Sequence, residues 1–179
     1  SFTVSCALSY AVQNRATLVN ASLGYYSKRD VDSVLRKYLL LCQQATPVPV
    51  KVLAAAGNLH GPHNSSELCR TPATLQLNSS MLFYPACFNP TIPNIIAVNT
   101  LKDLSNGCFY QNYSNQFVDV GVLSKVNCCR FNVLGTGYEG SSFATPIVSG
   151  LMMGCILNNA GIVNPNCLDL ISNTATSLQ

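Results

Sequence analysis

The chain has 179 residues, 48% of them apolar and only 9% charged, with a formal net charge of +3. Its length suits one domain with a sizeable core, while the weak charge and the lack of a Lys/Arg cluster argue against a nucleic-acid surface. The longest nearly apolar run, residues 147–157, is broken by Ser149, Gly150 and Gly154 and is too short to span a bilayer.

No basic segment leads into an apolar one as in a signal peptide. The chain opens at Ser1 rather than Met, which reads as a mature chain, a processed fragment or an excised domain. In chain order, residues 2–14 place Phe2, Cys6 and Tyr10, with Ala7 and Ala11, near one face of a helix. Residues 16–21 form a short apolar strand that ends at Ser22-Leu23-Gly24. The clearest helix is 30–45, where Val31, Val34, Leu35, Tyr38, Leu39, Cys42 and Ala45 repeat at helical spacing until Pro47 and Pro49 stop it. Residues 50–56 are a second apolar strand, broken by Gly57-Asn58. Helix, strand, helix, strand predicts a parallel sheet covered by helices, an α/β fold.

From 60 to 93 the pattern dissolves into Pro, Asn, Ser and Thr, a long loop region with room for short strands. Strands follow at 94–98 and 117–122. Residues 142–157 read as a helix that tolerates Pro146 in or near its first turn, and a last short helix opens at Asn164-Pro165 and runs through Ser172. There is no internal repeat, linker or low-complexity tract, so the whole of 1–179 is read as a single domain.

Nine cysteines, an odd number, leave at least one without a partner in the chain. N-x-S sequons begin at Asn20, Asn64, Asn78 and Asn112. Together these lean toward an oxidising compartment, hence toward a secreted or extracytoplasmic protein with disulfides and glycans. Buried free thiols in an intracellular protein are the alternative, because free Cys also packs as a small core residue. His60, His63, Cys69 and Cys87 include an H-x-x-H spacing, but Pro62 and the open cysteine spacing do not suit a tetrahedral zinc site, and no metal ligand is assigned.

Residues 135–150 read GTGYEGSSFATPIVSG. The first six match G-x-G-x-x-G, the fingerprint of a dinucleotide phosphate loop. Such a loop should follow the first strand of a βαβ unit, with a carboxylate about 20 residues later. Here the stretch lies near the C-terminus, and residues 155–160 hold no carboxylate. A nucleophilic serine fits better. A serine at a helix N-terminus sits at the positive end of the dipole beside free N–H groups, as a developing oxyanion requires. The glycines before it would let a substrate backbone approach. Asn58, ending a buried strand, could donate a second oxyanion hydrogen bond; helix capping by Ser142 and a turn at Asn58 are the plainer alternatives.

GSSFATPIVSG resembles the nucleophile segment of the subtilisin-like serine proteases, G-T-S-M-A-x-P-x-V-[AS]-G. AAAGN, residues 54–58, resembles their oxyanion-asparagine segment, and VNASLG, residues 19–24, the strand that pairs with substrate. Tyr84-Pro85-Ala86, residues 93–98, residues 118–122 and Asn173-Thr174-Ala175 resemble further stretches, in family order over most of the chain. The resemblance implies a doubly wound, mostly parallel sheet with helices on both faces. It implies that Ser142 forms the acyl-enzyme, and that Asn58 and the Ser142 N–H form the oxyanion hole. Ser22, Leu23 and Gly24 would pair with the peptide on the acyl side of the scissile bond, and Ala54, Ala55, Ala56 and Gly57 would form the other wall of the pocket for the residue there. Small apolar walls would favour a large or uncharged side chain.

Two departures are mild: Ser141 replaces the family's Thr, and Phe143 its Met. The grave one is that the family's D-[TS]-G and H-G-T motifs, which carry the catalytic Asp and His, are absent. His60-Gly61 follows Asn58, in the wrong order to serve. The resemblance therefore implies a domain lacking its N-terminal part, inactive by itself, with the Asp and His on an upstream fragment or partner chain. Polypeptides are the implied substrates. The strands at 16–21 and 50–56 would then expose apolar faces and an unpaired edge, so an upstream fragment or self-association is expected. The chemistry requires no cofactor; a structural calcium ion is left open. The alternative is a non-catalytic, subtilisin-like module that binds peptides or proteins.

Overall fold

A computed structural model describes residues 2–27, 33–58, 76–78, 80–101, 112–123, 130–133, 136–158 and 167. Four parallel strands form its centre in the order β1-β3-β5-β6: β1 (Leu18–Ala21), β3 (Lys51–Ala55), β5 (Ile95–Leu101) and β6 (Val120–Leu123). Ala21 stands opposite Ala54, which in turn stands opposite Ala97. Alternate side chains enter two cores. Val52, Ala54, Ala56, Ile95 and Ala97 point to one face, and Leu53, Ile96, Val98 and Val120 to the other. A strand buried on both faces needs an unbroken apolar run, which is what residues 52–56 supply.

The first face is covered by α1 (Phe2–Gln13) and α2 (Ser33–Gln44), the second by α3 (Ser141–Asn158). Helices lie on both faces, as the doubly wound fold requires. In α2, Leu35, Leu39 and Cys42 are buried at i, i+4 and i+7, while Val34 is exposed. In α1 the expected apolar face is not the buried one: Phe2 and Tyr10 are 78% and 68% exposed and Cys6 is exposed, whereas Ser5 and Leu8 face inward. The stripe that packs against α2 is the one centred on Leu8, with Val4 and Val12 beside it.

The strands at 16–21 and 50–56 do not share a fate. β3 lies inside the sheet and is buried, so it exposes no apolar face; β1 is at the sheet edge and is paired on one side among the described residues. The stretch from 60 to 93 is more ordered than expected where it is described. β4 (Leu82–Tyr84) pairs antiparallel with β2 (Tyr25–Ser27), and a short 3-10 helix spans Ala86–Phe88. Three-residue strands leave too little periodicity to read. β7 (Arg130–Val133) and β8 (Thr136–Glu139) form an antiparallel pair. Residues 30–32, the last helix and Asn173-Thr174-Ala175 lie outside the described residues, apart from Cys167.

Helix α3 is long and apolar enough to cross a membrane, with a mean hydropathy of 1.3 over 18 residues. It lies instead on the sheet with Ala144, Val148, Met152 and Ile156 buried. Cys155 is bonded to Cys167, while Cys6, Cys42 and Cys87 are free; Cys69, Cys108, Cys128 and Cys129 lie outside the described residues.

Candidate active site

The end of β3 leads into Gly57 and Asn58. Gly57 has φ of +88°, and a Cβ there would lie 2.7 Å from Asn112 Nδ2 and from the Phe83 ring. Backbone conformation and crowding both demand glycine. The turn carries Asn58 to the surface beside the start of α3. There the Ser141 N–H donates to Asn58 Oδ1 at 2.7 Å and Ser141 Oγ donates to the same oxygen at 3.0 Å. Two donors on one atom settle which end of the amide is which: Oδ1 faces Ser141, and Nδ2 keeps its two protons for another acceptor. Gly140 makes this approach possible, with φ of +113°; a Cβ on it would lie 2.8 Å from Asn58 Nδ2.

Ser142 is the second residue of α3 and is half-buried. Its N–H belongs to the first turn, which has no intrahelical acceptor and lies at the positive end of the helix dipole. Asn58 and Ser142 thus share one end of α3, although the hydrogen bonds run to Ser141, one residue earlier. Pro146 lies inside the helix and brings no N–H to the Ser142 carbonyl.

A line of hydroxyls continues down α3. Thr145 Oγ1 donates to the Ser141 carbonyl at 2.7 Å, and Ser149 Oγ lies 2.9 Å from the Thr145 carbonyl and 3.1 Å from Asn20 Oδ1. Asn20 Nδ2 donates to Ser22 Oγ at 3.0 Å. One polar seam therefore joins Asn58, α3 and the start of the 22–24 segment. Leu23 and Gly24 are exposed beyond β1, whereas Ala54, Ala55 and Ala56 are fully buried and line no open cleft as they stand.

Behind the Asn58 loop stand residues that the sequence did not single out. Tyr26 Oη donates to the Asn58 carbonyl and accepts from Asn112 Nδ2 at 2.7 Å; Asn112 Nδ2 also lies 3.0 Å from the Ala56 carbonyl. Burial raises the Tyr26 pKa, against the lowering effect of the Asn112 bond. Asn112 is 1% exposed and its amide nitrogen is engaged, so its sequon does not present a glycan acceptor in this fold. A stripe of hydroxyls at i, i+4 and i+8, Ser141, Thr145 and Ser149, was legible in the sequence; the Tyr26–Asn112 pair, 86 residues apart, had no local signal.

The G-x-G-x-x-G stretch supplies β8 of an antiparallel pair and then Gly140. A pyrophosphate loop must leave a parallel strand, so the geometry does not serve a dinucleotide. Of the residues weighed for zinc, Cys87 is buried and its sulfur accepts from the Phe83 N–H; His60, His63 and Cys69 lie outside the described residues. Among the described residues no three His, Cys, Asp or Glu side chains gather to hold a metal.

The model of the subtilase family matches residues 2–179. The chain belongs to the subtilase family. Solved structures similar to this subtilase include the prenylagaramide maturation protease PagA, 25% identical with a TM-score of 0.58, over 90% of this chain and 52% of that one. Sphericase is 20% identical with a TM-score of 0.60, over 97% and 55%. MycP1 from Mycobacterium smegmatis is 18% identical with a TM-score of 0.60, over 93% and 46%. This subtilase chain thus spans about half the length of the solved structures it matches. No curated protein matches it.

Proposed function

We propose that this chain is the nucleophile-bearing part of a serine endopeptidase. Ser142 Oγ attacks the scissile carbonyl, its proton passes to a base, and the resulting oxyanion takes hydrogen bonds from the Ser142 N–H and Asn58 Nδ2. The observation that supports this reading is the double hydrogen bond from Ser141 to Asn58 Oδ1, which commits the amide oxygen to Ser141 and leaves Nδ2 as a donor at the same end of α3. The base and its orienting carboxylate are supplied by an upstream segment or a partner chain bearing D-[TS]-G and H-G-T motifs, neither of which occurs in this sequence. Polypeptides are the substrates, and the Cys155–Cys167 disulfide favours an extracytoplasmic setting. The absent motifs also favour a second reading, a module that binds peptides without cutting them.

Co-production with the polypeptide encoded upstream tests the choice. The complex should cleave peptides, Ser142→Ala should abolish cleavage, and Asn58→Ala should lower kcat by about 10²–10³-fold. The 179-residue chain by itself should turn over nothing at an enzymatic rate, because without a base Ser142 stays a protonated alcohol. An inactive complex would leave the binding module; cleavage by the chain alone, lost in Ser142→Ala, would overturn the assignment of the base.

A further inference from the structure

The turn that carries Asn58 is held at two points on its backbone. Asn112 Nδ2 lies 3.0 Å from the Ala56 carbonyl, and Tyr26 Oη donates to the Asn58 carbonyl. Between these two carbonyls stands Gly57, at φ of +88°. Glycine enters that conformation without strain and leaves it as easily. A turn hinged on glycine keeps its shape only where its neighbours fix it.

The two holds are one unit. Asn112 Nδ2 also donates to Tyr26 Oη at 2.7 Å, so its two protons serve the Ala56 carbonyl and the phenol oxygen. The phenol O–H is thereby left to the Asn58 carbonyl. Burial pushes the Tyr26 pKa up, against the lowering effect of the Asn112 bond, and the phenol stays a donor through the neutral range. The unit is itself anchored. Asn112 is 1% exposed, and the Tyr26 ring meets the Phe83 ring edge to face across the β2–β4 pair, with centroids 4.8 Å apart. A Cβ on Gly57 would lie 2.7 Å from Asn112 Nδ2, so the unit also seats against the hinge. Neither Tyr26 nor Asn112 belongs to a stretch in which the chain resembles its family.

We propose that Tyr26 is a positioning residue of the oxyanion hole: with Asn112 it clamps the carbonyls of Ala56 and Asn58 on either side of Gly57, and so fixes the place of Asn58 Nδ2. The proposal rests on the acyl-transfer reading above. Ser141 sets which end of the Asn58 amide is the donor, whereas Tyr26 sets where the backbone that carries the amide stands. Both matter, because a donor serves an oxyanion at about 2.7–3.1 Å and a misplacement of about 1 Å costs about 10²-fold.

Tyr26→Phe removes one hydroxyl and keeps the ring against Phe83. In the complex with the polypeptide encoded upstream, assayed on a series of tetrapeptide p-nitroanilides, it should lower kcat by about 10-fold or more and leave KM within about twofold. In an Asn58→Ala background the same substitution should change kcat by less than about twofold, since the amide it positions is gone. A merely structural role would lower kcat alike in both backgrounds. A second arm needs no turnover. With the 179-residue chain labelled in the same complex, 15N relaxation of the Asn58 side-chain amide should report a rigid group in the wild type and a mobile one in Tyr26→Phe. Unchanged kcat in Tyr26→Phe, an equal fall in both backgrounds, or an equally rigid Asn58 amide in the variant would overturn the role of Tyr26 while leaving the peptidase reading standing. A wild-type complex without activity would overturn the peptidase reading, and this proposal with it.

Discussion

The two faces of the sheet are built on different terms. The face under α1 and α2 is a closed core, in which α2 buries the stripe Leu35, Leu39 and Cys42 and exposes Lys37 and Gln44 together with Val34 and Leu41. The face under α3 has a helix that is apolar nearly all round. Its inner line, Ala144, Val148, Met152 and Ile156, is buried, while Ile147, Leu151 and Leu157 on its outer side are exposed. Among the described residues, the first face holds the buried free thiols Cys42 and Cys87, and the second is tied by the Cys155–Cys167 disulfide. The catalytic candidates belong to the second, at the end of α3. The difference separates two kinds of helix: amphipathic α2 closes a core, whereas α3, apolar on its outer side too, carries the candidate residues along a seam of hydroxyls.

The largest effect should come from the closed face. Leu39 is fully buried, and Leu39→Ala should lower the unfolding free energy by about 2–5 kcal/mol in denaturant titrations. A loss below about 1 kcal/mol would show that this core is no tighter than the α3 side.

Next, the α3 face should answer to its cross-link. Cys155 and Cys167 close a loop of 12 residues' separation, and replacing both by Ala should cost about 3 kcal/mol on the loop-entropy account. The loss should be confined to α3 in hydrogen exchange; equal deprotection of α2 would erase the distinction between the faces.

Alkali should act on the other side. Burial pushes the Cys42 and Cys87 thiols up to about 11, and both belong to the α1/α2 core. A thiol that ionises near 9 when unfolded and near 11 when folded stabilises the folded state fully below pH 9, and that contribution is lost as pH rises to 11. The loss should be about 2–3 kcal/mol per thiol. Comparing Cys42→Ala with the wild type across this window isolates one share; identical slopes would mean that the thiol is already hydrated.

The smallest effect is expected on the outer side of α3. Leu151 is 51% exposed, and Leu151→Ser should change the stability of the isolated chain by about 0.5 kcal/mol or less. A loss of the size seen at Leu39 would reveal that the exposed line is covered in solution, by self-association that light scattering would detect.

The sequence by itself determined the strands and helices of the parallel framework, because residues 52–56 and 95–98 are unbroken apolar runs and α2 repeats at helical spacing over several turns. It also marked Ser142, at a helix start where backbone donors are free, and Asn58, whose carboxamide ends a strand, and the resemblance of their two segments to the subtilisin-like proteases joined them. The tertiary structure decided what no local pattern encodes. It chose which stripe of α1 is buried, since Phe2 and Tyr10 matched the helical period as well as Leu8 did. It folded the G-x-G-x-x-G stretch into an antiparallel strand. It turned the Asn58 amide through bonds to Ser141, 83 residues away, and braced it with Tyr26 and Asn112. It also set Phe83 between Gly24 and Gly57. Periodicity reports on neighbours within a few turns, whereas these contacts join segments that meet only when the sheet has formed.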